Sequence, residues 1–473
     1  MKKRIIGLIL ALSFSALFAK ETPVENLYSY KLKNGMELYV AENHTVPLAY
    51  VEIAVRGGGI GQTKENAGLF HLYEHMMFKG NAKYDTEEDI QSALTKLGVS
   101  SWNGTTNTEY VNYFFTVPSS KLKEGLEFWN YAIRTPKMDS REFEAEKKVV
   151  LSEIEGRKND PSSVLAKFVN DTMFNEEPWA TSPGGTADVV QNATIAQLKE
   201  IQKDYYIPNN AALFVGGDVN PDEVYALVKK IYGSWKKGKN PWTKNNKRYT
   251  KTPFEKTQFY VMPKSDISPA IAAVTLVYRG PDAEYEREDT YAADLLSNAA
   301  ERPDSYFKTY LTGLSELEIP GSDYIYSSYS SARRLGLIMS GAVVLEPEKN
   351  LAERGKVFAQ NYYDAMNGVF AGSEEDTKKL ENSVHKRIYN KYLYDQEKFS
   401  ELLSTVRFWW CCADAEYYYS YADKIKATEK TQVQNFLEKY IKDAPALVII
   451  SVNPDVYEQT KADYEANGYE VIK

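Results

Sequence analysis

The residue types with the richest metal and redox chemistry are scarce in this 473-residue chain, which has two cysteines and four histidines. Cys411 and Cys412 are neighbours in Arg407-Phe408-Trp409-Trp410-Cys411-Cys412-Ala413, so no ordinary disulfide can join distant parts of the fold. They read as buried core thiols. Positive charge is also in deficit: the formal net charge is -8, which disfavours nucleic acid and anionic membrane as partners. Long apolar runs are missing as well, apart from the stretch from Ile5 to Ala19 behind Lys2, Lys3 and Arg4. That stretch is too short to span a bilayer comfortably, and it gives way to polar Lys20-Glu21-Thr22-Pro23, the pattern of a cleavable signal peptide over residues 1–19. A mature protein in a periplasm or outside the cell is therefore expected, free of the membrane and with a net charge of about -11 once the three cations leave.

Two of the four histidines stand together in His71-Leu72-Tyr73-Glu74-His75. Residues three and four apart share one face of a helix, so His71 and His75 can aim ring nitrogens at one metal ion with Glu74 beside it. A carboxylate next to an ion that acidifies water is equipped for hydrolysis: Glu74 would take the proton and later pass it to the leaving group. The order is the reverse of the commoner His-Glu-x-x-His motif.

A catalytic zinc usually has three protein ligands, so a third should come from another element. Asp139 followed by Glu142 has the form of a helix start, and no glycine or proline intervenes before Gly156. On that helix Phe143, Glu146, Val150 and Glu153 fall on one stripe. Two carboxylates on an otherwise apolar face need a metal or histidine partner, because burying an unpaired ion costs several kcal/mol, on the order of a whole folding margin. Two nitrogens and a carboxylate would also suit cobalt or manganese.

The run Ala67-Gly68-Leu69-Phe70-His71-Leu72-Tyr73-Glu74-His75-Met76-Met77-Phe78-Lys79-Gly80, followed by Glu146-Lys147-Lys148-Val149-Val150-Leu151-Ser152-Glu153, resembles the pitrilysin family of inverted-motif metallopeptidases, in the half-length form of the mitochondrial processing peptidase subunits. Tyr205-Tyr206-Ile207-Pro208-Asn209-Asn210 and Val215-Gly216-Gly217-Asp218 are similar to family segments in order and spacing. The resemblance implies His71, His75 and Glu153 as ligands of one Zn2+ ion per chain, Glu74 as general base, and Glu146 as the residue that orients a ligand. It also implies that Trp102 to Thr106, leading into the strand-like Tyr110 to Phe115, forms an edge on which a peptide adds as an extra strand, with Asn103 binding substrate.

Length and pattern suggest two related halves. Strand-like runs at Glu37 to Val40 and Pro47 to Arg56 find counterparts at Gln258 to Val261 and Pro269 to Arg279, and Pro47 with Pro269 and Gly57 with Gly280 keep nearly constant separation. A Lys, Asn, Pro and Thr-rich linker between them places the domains at 20–245, zinc-bearing, and 254–473, without metal. Where the histidines would recur, the second copy has Ala293, Leu296 and Ser297. The expected fold is α+β, two homologous domains each with a largely antiparallel sheet packed by helices.

One feature departs from the family pattern. Its active members are expected to hold the substrate carbonyl with an arginine and a tyrosine seven residues on, yet no arginine occurs between Arg302 and Arg333. Tyr324 and Tyr326 can supply the hydroxyl, whereas Lys308 is a poorer substitute for the guanidinium. The expectation is thus a zinc endopeptidase for short or unfolded peptides, paired with a homologous metal-free subunit, or with a second copy of itself. The alternatives are a noncatalytic assembly subunit and a metal-binding protein without turnover.

Overall fold

The computed structural model describes residues 20–21, 23–158, 160–244 and 252–472. The expected signal peptide, residues 1–19, lies outside them, as do residues 245–251 of the expected linker. No helix among the described residues is long and apolar enough to cross a membrane.

The first half builds a seven-stranded sheet from β1 (Lys20–Glu21), β2 (Leu27–Lys31), β3 (Glu37–Glu42), β4 (Leu48–Arg56), β5 (Trp102–Thr106), β6 (Tyr110–Pro118) and β7 (Ala211–Gly217), in the order β1-β2-β3-β7-β4-β6-β5. The second builds a six-stranded sheet from β8 (Gln258–Pro263), β9 (Ile271–Arg279), β10 (Ile325–Ser331), β11 (Gly336–Leu345), β12 (Leu447–Val452) and β13 (Glu470–Val471), in the order β10-β11-β9-β12-β8-β13. Five strands repeat one arrangement: β3-β7-β4-β6-β5 and β8-β12-β9-β11-β10 have the same neighbours with the same senses, parallel for β3 with β7 and β8 with β12, antiparallel otherwise. The duplication legible in the proline and glycine spacing is therefore a duplication of topology. Every residue of β7 and β12 is buried, which explains why these central strands read as nearly continuous apolar runs, with Ser451 the one polar residue, rather than alternating ones.

Packing crosses between the halves in both directions. The helix Phe399–Cys412, from the second half, lays Leu402, Leu403, Val406 and Trp410 on Tyr39, Ala54 and Phe214 of the first sheet. The helix Pro161–Met173 and the turn after it, from the first half, set Val169, Met173, Phe174 and Trp179 against Val277, Leu447 and Ile449 of the second sheet. Each sheet is closed by a helix the other half supplies. Cys411 and Cys412 are free and buried in this packing, and burial pushes the Cys411 thiol up to about 12.

Ion pairs also join the halves, Arg333 with Glu109 at 3.7 Å and, more closely, Arg407 with Glu52. Arg407 Nε lies 2.6 Å from Glu52 Oε1, which has no exposed side-chain surface. Asn112 donates to Glu52 Oε1 at 2.5 Å and Tyr50 to Oε2 at 2.8 Å. Burial raises the Glu52 carboxyl, and the guanidinium opposes that rise. Arg407→Ala should thus strand a buried carboxylate and cost about 3–5 kcal/mol, read as a lower urea midpoint at an unchanged slope. A loss of less than about 1 kcal/mol would mean that the pair does not hold the halves together.

Candidate metal centre

The histidine helix, Leu69–Met76, begins at a position that only glycine occupies comfortably. Gly68 has φ +95°, its N–H donates to Gln62 Oε1 at 2.8 Å, and a Cβ there would come within 2.8 Å of the Gly184 carbonyl oxygen. Leu69, Phe70, Leu72, Tyr73 and Met76 bury most of the helix in the core, which leaves His71, Glu74 and His75 to line a cleft. The partner helix, Ser140–Lys158, starts where Asp139 accepts the N–H groups of Arg141 and Glu142 at 2.9 and 3.1 Å. Phe143 and Val150 are buried, and this seats Glu146 and Glu153, on the same stripe, opposite the histidines.

The five residues meet. His71 Nε2 and His75 Nε2 are 3.3 Å apart, and the Glu153 carboxylate lies 3.5 Å from the first and 3.9 Å from the second. Zinc–nitrogen bonds of about 2.0–2.1 Å at the tetrahedral angle set two nitrogens about 3.4 Å apart, so this spacing is that of donors able to share one ion. His71, His75 and Glu153 form the one such group of three among the described residues. Glu146 Oε2 lies 2.8 Å from His75 Nδ1, and Lys79 reaches its other oxygen at 2.9 Å. Donation by Nδ1 to Glu146 leaves the His75 Nε2 lone pair facing His71 and Glu153.

Charge at the site follows from burial and these contacts. Burial, with help from His75 and Arg157, lowers His71 to about 3, so its ring is neutral and able to ligate. Burial alone would lower His75 too, but the bond to Glu146 and the nearby Glu74 and Glu153 raise it. Burial would raise Glu146, yet His75 and Lys79 hold it below the ordinary carboxylate range. If Glu146 orients His75, Glu146→Ala should weaken zinc binding by about 10–100-fold while the fold persists. Competition against a chromophoric chelator measures this, and unchanged affinity would remove Glu146 from the metal's support.

Glu74 is also buried, and desolvation raises its carboxyl. Thr106 Oγ1, on β5, donates to Glu74 Oε2 at 3.0 Å. The β5 strand is the outermost of its sheet, so one side of its backbone is unpaired, as the family resemblance implied. Asn103 is exposed on that strand, and its Oδ1 accepts the Gly104 N–H at 3.0 Å. Alternation along the strand turns Trp102, Gly104 and Thr106 to the Glu74 side and Asn103 to the other. Asn103 thus lies at the rim of the cleft rather than beside the base.

Three further residues at the site carry no sequence signal of a role there. Lys79 and Thr106 sit inside segments recognised for other reasons, and Arg157, 3.7 Å from Glu153, is one helical turn further along the same stripe. Spacing on one element cannot reveal that a strand threonine reaches a helix glutamate. In the second half, the helix Arg287–Ala300 follows β9 as the histidine helix follows β4, and there Ala293 and Leu296 are buried while Ser297 donates to the Ser327 carbonyl at 3.3 Å. Lys308 corrects an expectation: it is buried, with Nζ 3.4 Å from Glu301, and does not present its charge to a substrate. Tyr324 and Tyr326 are 50% and 40% exposed.

Comparison with known proteins agrees with this picture. A family model described as "Insulinase (Peptidase family M16)" matches residues 38–187, and one described as "Peptidase M16 inactive domain" matches residues 192–367. The chain is 29% identical over 239 residues to the zinc protease PqqE of Helicobacter pylori, covering 50% of this chain and 53% of that one. It is 23% identical over 205 residues to the mitochondrial-processing peptidase subunit beta of Dictyostelium discoideum, covering 43% of each. The chain thus spans about half the length of the curated relatives it matches. Among solved structures, a protease from Helicobacter pylori superposes with a TM-score of 0.72 at 20% identity, covering 89% of this chain and 98% of that one. The first half of the periplasmic protease PqqL from Escherichia coli superposes with a TM-score of 0.70 at 18% identity, covering 95% and 97%. These likenesses show a shared fold. With the peptidase model at residues 38–187 and the inactive-domain model of the same family at residues 192–367 matched in succession, the chain belongs to the insulinase family of peptidases, M16.

Proposed function

We propose that this chain is a zinc-dependent endopeptidase that hydrolyses peptide bonds in short or unfolded peptides. The observation that carries the proposal is the convergence of His71, His75 and Glu153 at the spacing of metal donors, with the Glu74 carboxylate beside them and the free edge of β5 alongside. His71, His75 and Glu153 would hold the ion, and Glu146 with Lys79 behind it fixes His75. Zinc bound there supplies Lewis acidity, which acidifies water and polarises a carbonyl. Glu74 takes the proton from the attacking water and delivers it to the departing amine. An extended peptide lies along β5 and is held by main-chain hydrogen bonds, so side-chain demands are slight. Asn103 binds substrate from the strand's outer rim.

The same reading includes a partner. No arginine occurs between Arg302 and Arg333, and Lys308 is tied to Glu301, so the cation that should face the substrate carbonyl comes from a second chain. A homologous metal-free subunit fits best, since mitochondrial-processing peptidase, whose beta subunit is a relative, is built from subunits. A homodimer is the fallback. The expected cleavable N-terminus and the likeness to periplasmic PqqL favour the periplasm or the exterior as the place of action.

Purified chain should carry about one zinc, and with its homologue it should cleave an unstructured peptide, lose that activity to a chelator and regain it with zinc. Cleavage that survives chelation would overturn the metallopeptidase reading. Efficient cleavage by the isolated chain at low concentration would overturn the need for a homologue.

A further inference from the structure

Glu74 is held by the strand that is to receive the substrate, and this bears on how the base is aimed. Its carboxylate lies against β5 on the side where Trp102, Gly104 and Thr106 point. Trp102 packs against Phe78, four residues beyond Glu74, with ring centroids 4.6 Å apart and the rings tilted by 45°, which sets the spacing between strand and helix. Between these two contacts the strand has glycine, and a Cβ at Gly104 would come within 2.9 Å of Glu74 Oε1 and 3.1 Å of its Cγ. The carboxylate therefore rests on bare backbone. Its other oxygen, Oε2, accepts the Thr106 hydroxyl at 3.0 Å.

We infer that Thr106 is a positioning residue for Glu74: its hydroxyl anchors Oε2, holding the carboxylate against β5 with Oε1 left to handle the proton. This rests on the reading of Glu74 as general base. A glutamate side chain has three rotatable bonds, and an unanchored one spreads over several rotamers. A single hydrogen bond to a charged oxygen, made inside a mostly buried site, is enough to select one of them. The bond runs to the very strand on which the peptide is to lie, so the base and the backbone groups that dock the substrate share one rigid frame. A base aimed from the substrate's own strand keeps its distance to the scissile carbonyl as different peptides bind, which suits a protease that reads backbone rather than side chains.

The alternative is that Thr106 merely satisfies a buried carboxylate and supports the fold. Thr106→Val keeps the shape and removes the donor; Thr106→Ser keeps the donor and removes a methyl group. Both are to be compared with wild type and with Glu74→Gln in the zinc-loaded full chain with its homologue, on one unstructured peptide. Thr106→Val should lower kcat by about 10- to 100-fold, with KM within about twofold and zinc content unchanged, and Thr106→Ser should return kcat to within about threefold of wild type. Crystal structures of the metal-free variants give a readout that needs no turnover: Glu74 should take more than one rotamer in Thr106→Val and one in Thr106→Ser. An unmoved Glu74 carboxylate, wild-type kcat, a loss confined to KM or zinc content, or no rescue by serine would each overturn the inference. An active Glu74→Gln would instead overturn the base assignment itself, whereas an inactive Glu74→Gln beside a fully active Thr106→Val would sink only the role of Thr106.

Discussion

Glu74→Gln should lower peptide hydrolysis by about 10²- to 10⁴-fold, the range expected when a general base is removed, while zinc content and thermal midpoint stay at wild-type values. The two outcomes separate because glutamine has nearly the shape of glutamate. It keeps an oxygen that can accept the Thr106 hydroxyl at the position Oε2 now occupies, and it lies off the His71, His75 and Glu153 triangle that would bind the ion. Burial makes the amide easier to hold than the carboxylate, since desolvation already disfavours the charged form of Glu74. A neutral amide cannot take a proton from water near pH 7. Full activity in this variant would refute the mechanism, and loss of zinc would place Glu74 among the ligands.

His71→Ala should empty the site. It removes one of the two imidazole nitrogens that face each other at 3.3 Å and leaves only His75 and Glu153 to hold an ion. The expected loss of affinity exceeds the roughly 10–100-fold that follows from removing an outer-sphere support such as Glu146. Because zinc binds the folded chain, wild type at about 100 times its dissociation constant gains about 2.7 kcal/mol of stability, and His71→Ala should gain almost none. Metal analysis after gel filtration and melting curves with and without zinc measure both effects. A His71→Ala chain that still holds one equivalent, or still melts higher with zinc, would show that the donors lie elsewhere. Glu153→Ala should behave in the same way. Its carboxylate is 39% exposed and also faces Arg157 at 3.7 Å, so its removal opens the cleft without leaving a buried charge.

Much of the site could be read before any fold was known. Histidines four apart, and carboxylates at helical intervals on a second segment, are local patterns, and the 3.6-residue turn converts them directly into shared faces. Asp139 as helix start was legible for the same reason. That Glu153 joins the histidines and Glu146 orients a ligand came through the family resemblance, but that His75 Nδ1 is the atom Glu146 meets came only from the structure, because it joins residues 71 positions apart. Thr106 and Lys79 were invisible as contributors. Their roles depend on which strand lies under the histidine helix and how far a side chain reaches across.

By itself, then, the sequence determined the chemistry available and its local geometry: a two-histidine, one-base helix, a carboxylate stripe, a duplicated strand pattern and a deficit of basic charge. The tertiary structure alone decided three further things. It brought Thr106 of β5 to Glu74, it exchanged the helices Pro161–Met173 and Phe399–Cys412 between the two sheets, and it buried Lys308 against Glu301. The physical reason is one of range. Helix faces and strand alternation are set by backbone geometry within a few residues, whereas strand order, burial and a pair such as Glu52 with Arg407 arise only when segments hundreds of residues apart compete to exclude water from the same surface.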